Sequence, residues 1–291
     1  MKKIQLLLSS LCLLFVAMFI SCSDEHSDQE QAVPLSISGA DVLTRSKGNF
    51  EKGDQIGLFV YDENGNKYND CDCSWNNMAS LDDQWVMSKN VYLSNQTVTI
   101  RAYYPFNPDV NSSVIPIETA TQTDYLYSRE VTANIDNPSI SLQMRHALSL
   151  LKLVVKKDNY QGEGNISGVL LQGINLAGSL DLATGDITVT RTGNENYSGQ
   201  LKLEESLTIG IMTIPQNVTS SAVVVIIDGE RYGFKLPESE WQQGKENTYT
   251  LGIDISSRKL FQVGASIIDE WGAGGSYDGN LTPGIDIGTE I

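Results

Sequence analysis

Apolar and polar residues alternate with a period of two along much of this chain, and the clearest run lies near its middle, residues 141–155, SLQMRHALSLLKLVV. Leu142, Met144, Leu148 and Leu150 fall on even positions, then Leu151, Leu153 and Val155 on odd ones. A period of two marks a strand, and the change of parity between Leu150 and Leu151 calls for one extra residue in the ladder, as at a β-bulge or where a strand crosses between sheets. A helix competes over residues 146–152. Its case is weakened by Val154-Val155, a β-branched pair running into Lys156-Lys157-Asp158 without a cap. The stretch is therefore expected to be the first core strand of a second β-domain. His146 sits on the apolar parity, where a core histidine bonded to a backbone carbonyl is expected rather than a catalytic one.

Similar runs lie on both sides. Val33, Leu35, Ile37 and Leu43 share one parity, which makes residues 33–43 an edge strand ending at Thr44-Arg45-Ser46. Residues 53–61 form the next strand, closed by Asp62-Glu-Asn-Gly-Asn66, whose Asn-Gly pair suits a tight turn. Asp62, Asn64 and Asn66 mimic the start of a calcium loop but lack its glycine and distal glutamate, so a turn is expected. Residues 85–87, 91–93, 97–106 (with Pro105 closing its strand), 124–127 and 139–142 complete the first half. The second half repeats the texture at 148–155, 166–171, 179–182, 186–192, 199–203, 206–214, 222–227, 231–235, 246–255 and 261–267. The β-branched run from Val223 to Ile227 suits a central strand, and residues 237–241 suit one helical turn. Short strands with frequent turns and no convincing amphipathic helix predict an all-β chain of two antiparallel β-sandwich domains, at 33–143 and 144–271.

The ends differ from this texture. Met1-Lys2-Lys3 followed by the apolar run 4–20 reads as a signal peptide over residues 1–21. Residues 22–32 form a polar, acidic tether with little apolar area to bury. Beyond Trp271 comes a Gly-rich tail, 272–291, in which alternation returns at Leu281, Ile285, Ile287 and Ile291. That row suits either a last edge strand on its own domain or a donor strand for a neighbouring molecule.

Removing the signal leaves 270 of 291 residues, enough for two ordinary cores. It also takes Lys2 and Lys3 from a net charge of −16, giving −18. With no cluster of Lys and Arg along the chain, nucleic acid is not an expected partner. Cys71 and Cys73 are too close for an unstrained disulfide and have no histidine beside them, so they read as two thiols in a loop. No metal or cofactor is expected. The chain has two histidines, His26 and His146, and no nucleophile-elbow, zinc-protease or phosphate-loop motif, so it does not read as an enzyme. Trp75, Trp85, Tyr103 and Tyr104 are candidate sugar platforms for an alternative role, a surface glycan-binding lipoprotein that does not polymerise.

Phe19-Ile20-Ser21-Cys22 resembles the lipobox of bacterial lipoproteins, with Phe19 where leucine is usual. That resemblance implies a lipid such as palmitate on Cys22, and the acidic leader after it resembles a surface-export signal of Bacteroidetes. The lipobox and leader, Thr44-Arg45-Ser46, residues 50–61, Arg101-Ala-Tyr-Tyr-Pro-Phe106, residues 124–127, residues 146–153 and Ile268-Asp-Glu-Trp271 together resemble, in order, the fimbrillin-like lipoproteins of Bacteroidales. The resemblance implies two tandem transthyretin-like sandwiches and a fimbrial (pilus) subunit or accessory/tip protein serving adhesion. It implies an outer-membrane lipoprotein at the cell surface, with other fimbrial subunits and host or bacterial surface ligands as partners. It further implies cleavage by an arginine-specific protease between Arg45 and Ser46, and replacement of the lost first strand by a neighbour's strand.

Overall fold

The computed structural model describes residues 33–43, 50–68, 75–271 and the backbone of 282–283, and among these residues there is no helix. In the first half the strands are β1 (Val33–Pro34), β2 (Ser36–Val42), β3 (Gln55–Tyr61), β4 (Asn77–Leu81), β5 (Trp85–Met87), β6 (Tyr92–Leu93), β7 (Val98–Tyr104), β8 (Val114–Glu118), β9 (Leu126–Ser128), β10 (Val131–Ala133) and β11 (Ser139–His146). The second half has β12 (Ser149–Lys156), β13 (Asn165–Asp181), β14 (Ile187–Lys202), β15 (Ser206–Thr213), β16 (Gln216–Val218), β17 (Ala222–Ile227), β18 (Glu230–Lys235), β19 (Ser239–Trp241), β20 (Lys245–Asp254), β21 (Lys259–Gln262), β22 (Ile267–Glu270) and β23 (Thr282–Pro283). Three pairings are parallel, β2 with β11, β12 with β20 and β18 with β21; the other ladders are antiparallel.

The first-half sheet runs β2-β11-β9-β7-β3-β4-β5, and β2 at one end lies beside β5 at the other. Its inner face collects Leu35, Ile37, Ile56, Leu58, Val98, Ile100, Ile140, Leu142 and Met144. β3 is buried on both faces, since Ile56, Leu58 and Val60 enter this core while Phe59 and Tyr61 enter another. Gly57 lies between them because a Cβ there would collide with the Tyr103 ring and stand 2.8 Å from Asn76 Oδ1. After β3 the chain turns as expected: Gly65 has φ +78°, and Asp62 Oδ1 accepts from the backbone N–H of Asn64 and Asn66.

The second half is a sandwich. One layer is β15-β12-β20, the other β18-β17-β13-β14, and β21 joins them through a hairpin with β20 and one bridge to β18, Gly233↔Lys259. Leu151, Leu153, Ile209, Ile211 and Tyr249 from one layer meet Val169, Leu171, Val223, Val225 and Tyr232 from the other in one core.

Residues 141–155 do cross between sheets, but not at Leu150/Leu151. β12 pairs with β15 without a register shift from Ser149 to Lys156. The crossing is at Ala147 and Leu148, both fully buried and both in a third cluster with Phe59, Tyr103, Ile115, Leu180 and Trp271. Parity changes there because two consecutive side chains are buried, which the alternation rule does not distinguish from a bulge two residues later. Other expectations are also corrected. Residues 237–241 hold strand β19 rather than a helical turn, because Trp241 is buried with its Nε1 donating to Tyr249 Oη at 3.2 Å. The runs expected at 166–171 and 179–182 fall on one strand, β13 (Asn165–Asp181), whose pairing with β14 has four register shifts. β8, with Pro116 at its centre, was not foreseen; it pairs with the far end of β13 and ties the first half to the second.

Candidate functional site

β2 is an edge strand whose one ladder partner is β11. Its register against β11 runs Ser36↔Ser139 and Ile37↔Ile140, then shifts so that Gly39 faces Ser141, Ala40 faces Leu142 and Val42 faces Met144. Ser38 is the extra residue, and its hydroxyl donates to the Ile140 carbonyl at 2.9 Å. The shift turns the second part of the strand over: Leu35 and Ile37 are buried, Ala40 and Val42 pack partly against the same core, and Leu43 is exposed. The expected row Val33, Leu35, Ile37, Leu43 therefore holds at Leu35 and Ile37 and fails at Leu43. Ser38-Gly39, a small polar pair in mid-strand, was the one available sign of the bulge.

Backbone bonds hold both ends of the strand: Leu35 N–H to Val91 O at 2.8 Å, Ser36 N–H to Pro138 O at 2.9 Å, and Leu43 N–H to Met144 O at 2.8 Å. The side chains that grip β2 are Ile140, Leu142 and Met144 from β11 and Trp85 and Met87 from β5. Burial of Leu35 and Ile37 is worth roughly 3 to 6 kcal/mol together. Any strand offering apolar side chains at these positions would satisfy the same backbone groups and the same groove.

Arg45 and Ser46 come two and three residues after Leu43 and lie outside the described residues, as do Cys22, Cys71, Cys73, Leu281, Ile285, Ile287 and Ile291. The description resumes at Phe50, whose ring stands edge-on to Trp85 at 5.2 Å and to Tyr104 at 5.4 Å. Tyr104 donates to Asp54 Oδ1 at 3.2 Å; burial, with the negative charge of Asp54 beside it, pushes its phenol up to about 12. In the tail, the backbone of Thr282 and Pro283 pairs with Ser198 and Tyr197 on the outer edge of β14.

The four aromatic residues considered as sugar platforms serve packing instead. Tyr103 is 1% exposed, and its hydroxyl bonds to Asn76 Oδ1 and the Asn107 carbonyl. Burial raises its pKa. Trp75 stands edge-on to Phe59 at 5.5 Å and Tyr61 at 4.9 Å, and Trp85 and Tyr104 sandwich Phe50. His146 is buried, but it bonds Asp124 through Nδ1 at 2.8 Å rather than a backbone carbonyl. Among the described residues no group of three or more His, Cys, Asp or Glu is arranged to hold a metal.

The sequence profile of fimbrillin-like proteins matches residues 44–271. None of the curated proteins matches the sequence. Among solved structures, a candidate cell adhesion protein from Bacteroides uniformis ATCC 8492 superimposes with a TM-score of 0.65 at 18% identity, covering 82% of this chain and 99% of the other. A second one, from Bacteroides ovatus ATCC 8483, gives 0.64 at 19% identity, covering 82% and 98%. A fimbrial protein from Bacteroides vulgatus ATCC 8482 gives 0.51 at 13% identity, covering 82% and 99%. At such identities the likeness speaks for the fold.

Proposed function

The chain belongs to the fimbrillin-like family, and from that premise we propose that it is a fimbrial subunit or accessory protein that serves adhesion at the cell surface and assembles by exchange of its first strand. The observation that carries the reading is β2 itself: an edge strand held by a single ladder and a few apolar side chains, followed at once by Thr44-Arg45-Ser46. Cleavage after Arg45 would separate Leu35, Ile37, Ala40 and Val42 from the body of the protein and leave the Ile140, Leu142, Met144 face open to another strand. The precursor travels as an outer-membrane lipoprotein through Cys22, and the two halves act as the two sandwich domains of one subunit. The other partner is the neighbouring subunit, whose donor strand would be residues 281–291.

The test is direct. Purified chain cut by an arginine-specific protease should form oligomers, seen by light scattering and as a ladder on a denaturing gel without heating, while uncut chain and an Arg45→Gln variant stay monomeric. Cleaved protein that remains monomeric at all concentrations refutes strand exchange.

A further inference from the structure

The outer face of the second sandwich carries a hollow unlike the rest of this acidic molecule. Ala222, Val224, Gly233, Lys235, Arg258 and Lys259, with Arg231 beside them, line a space of about 520 Å³, within the range of small-ligand sites. Four cations line it and no acid does, in a chain with 20 Lys and Arg against 36 Asp and Glu.

Strand alternation explains how it arises. Val223, Val225, Tyr232 and Phe234 point into the core, so Ala222, Val224, Arg231, Gly233 and Lys235 point outward from the paired strands β17 and β18. Opposite Val224 stands Gly233, which has no side chain, and this leaves a depression floored by aliphatic groups. The turn from β20 to β21 forms the other wall. It is clamped by Asp254, whose carboxylate accepts from Ser256 and Ser257 through both backbone N–H and hydroxyl groups, and Arg258 follows with φ +53°. Arg258 pairs with Glu230 at 2.8 Å, an exposed contact weakened by solvent. Lys235 and Lys259 have no ion-pair partner among the described residues.

We propose that this hollow binds one carboxylate-bearing sugar unit, its carboxylate held by the Lys235, Arg258 and Lys259 cations and its C–H face resting on Ala222 and Val224 beside Gly233. Charge decides between ligand classes. The net charge of −16 repels a long polyanion such as a nucleic acid, whereas a unit with one negative charge feels chiefly the cations within a Debye length of about 8 Å. The apolar floor favours a sugar over a bare anion, and Arg258 offers the planar fork that matches a carboxylate. The site is independent of strand exchange, so either reading stands if the other fails.

The test titrates the full chain with the methyl glycosides of glucuronate, galacturonate and N-acetylneuraminate, with methyl glucoside and sodium acetate as controls, by calorimetry and saturation-transfer NMR. At least one acidic glycoside should bind while both controls do not, and Lys235→Gln and Lys259→Gln should each weaken it by about tenfold, the loss of one charge-assisted hydrogen bond. Both lysines are exposed, so the variants should melt with wild type. Acetate binding as well as the sugar, methyl glucoside binding equally, unchanged affinity in both variants, or no binding by any of the three acidic glycosides would each overturn the proposal.

Discussion

The imidazole of His146 lies face to face with the indole of Trp271, their centroids 4.1 Å apart and their planes 15° from parallel. His146 ends β11, the last strand of the first half, and Trp271 directly follows β22 in the second. Asp124 holds the imidazole from its other side at 2.8 Å, and the Trp271 N–H donates to the Gly244 carbonyl at 2.9 Å. A single stacked pair thus fastens the crossing between the halves to the residue that follows β22. Trp271 is 5% exposed, and Trp271→Ala should cost about 3 to 5 kcal/mol, the range for a buried tryptophan. Urea unfolding checks this; a loss below about 1 kcal/mol would mean that the stack contributes little.

Gly57 tests how tightly the two faces of β3 are packed. A methyl group there meets the Tyr103 ring, which is anchored by Asn76 and Asn107 and has no room to withdraw. Gly57→Ala should destabilise the chain by about 1 to 3 kcal/mol through overpacking. Tyr103→Phe should not rescue it, because the clash is with ring carbons. Recovery in Gly57→Ala/Tyr103→Ala, measured by thermal melting, would support the collision as the cause; equal damage in the double variant would count against it.

These two sites also show what could be read from the chain beforehand. Strand β3 was legible because Ile56, Leu58 and Val60 alternate and an Asn-Gly turn closes it. Its second buried face was not, since nothing local says that Phe59 and Tyr61 meet another cluster. Strand β13 reads in pieces because its buried positions move from Ile166 to the odd-numbered Val169 and Leu171 and back to the even-numbered Ile174, Leu176 and Leu180, with register shifts against β14 at both changes. β8 was missed since Pro116 reads as a break, although an edge strand tolerates proline. The groove of β2 was visible in outline through Leu35 and Ile37, and the bulge at Ser38 hid Ala40 and Val42. The basic hollow was invisible: Arg231, Lys235, Arg258 and Lys259 lie on two segments that only the sandwich brings together.

Asp228 gives a dependence on pH. Its carboxylate accepts from Gly164 N–H at 2.9 Å, Tyr160 hydroxyl at 2.7 Å and Asn165 N–H at 2.8 Å. Chiefly through the Gly164 backbone bond and then the Tyr160 hydroxyl, its pKa is lowered from 3.8 to about 2. A lowered folded-state pKa means stability that is present above pH 3.8 and lost as pH falls toward 2. Asp228→Asn should therefore melt below wild type at pH 6, and the gap should close as pH falls from 4 to 2, on the order of the interval between the two pKa values. A gap that stays constant across that interval would show that the charge of Asp228 plays no part.

Arg45 should be the first site cut by trypsin in the folded chain. It stands in sequence between Leu43, an exposed residue at the end of an edge strand, and Phe50, which is packed between Trp85 and Tyr104, so a cut there interrupts neither packed element. Lys47 is a second site in the same segment. Brief digestion followed by intact mass measurement should give a break after Arg45 or Lys47 before any other. First cuts within residues 148–255, where every Lys and Arg except Lys157 sits on a paired strand, would contradict the arrangement.

The tail distinguishes folding from assembly. Two backbone pairs, Thr282 with Ser198 and Pro283 with Tyr197, join it to the edge of β14. Proline has no N–H to donate, so this ladder offers few hydrogen bonds, and its loss should cost about 1 to 2 kcal/mol, or roughly 2 to 6 °C in melting temperature. Among the described residues the core of the second half runs from Leu151 to Leu260. Deleting residues 280–291 should thus leave the fold nearly intact. If Leu281, Ile285, Ile287 and Ile291 fill the groove that β2 vacates in a neighbour, the same deletion should abolish oligomer formation after Arg45 cleavage, and full-length cleaved chain should restore growth at one end only. A truncated protein that melts many degrees lower would instead make the tail a structural edge strand, and one that still polymerises would remove it as the donor.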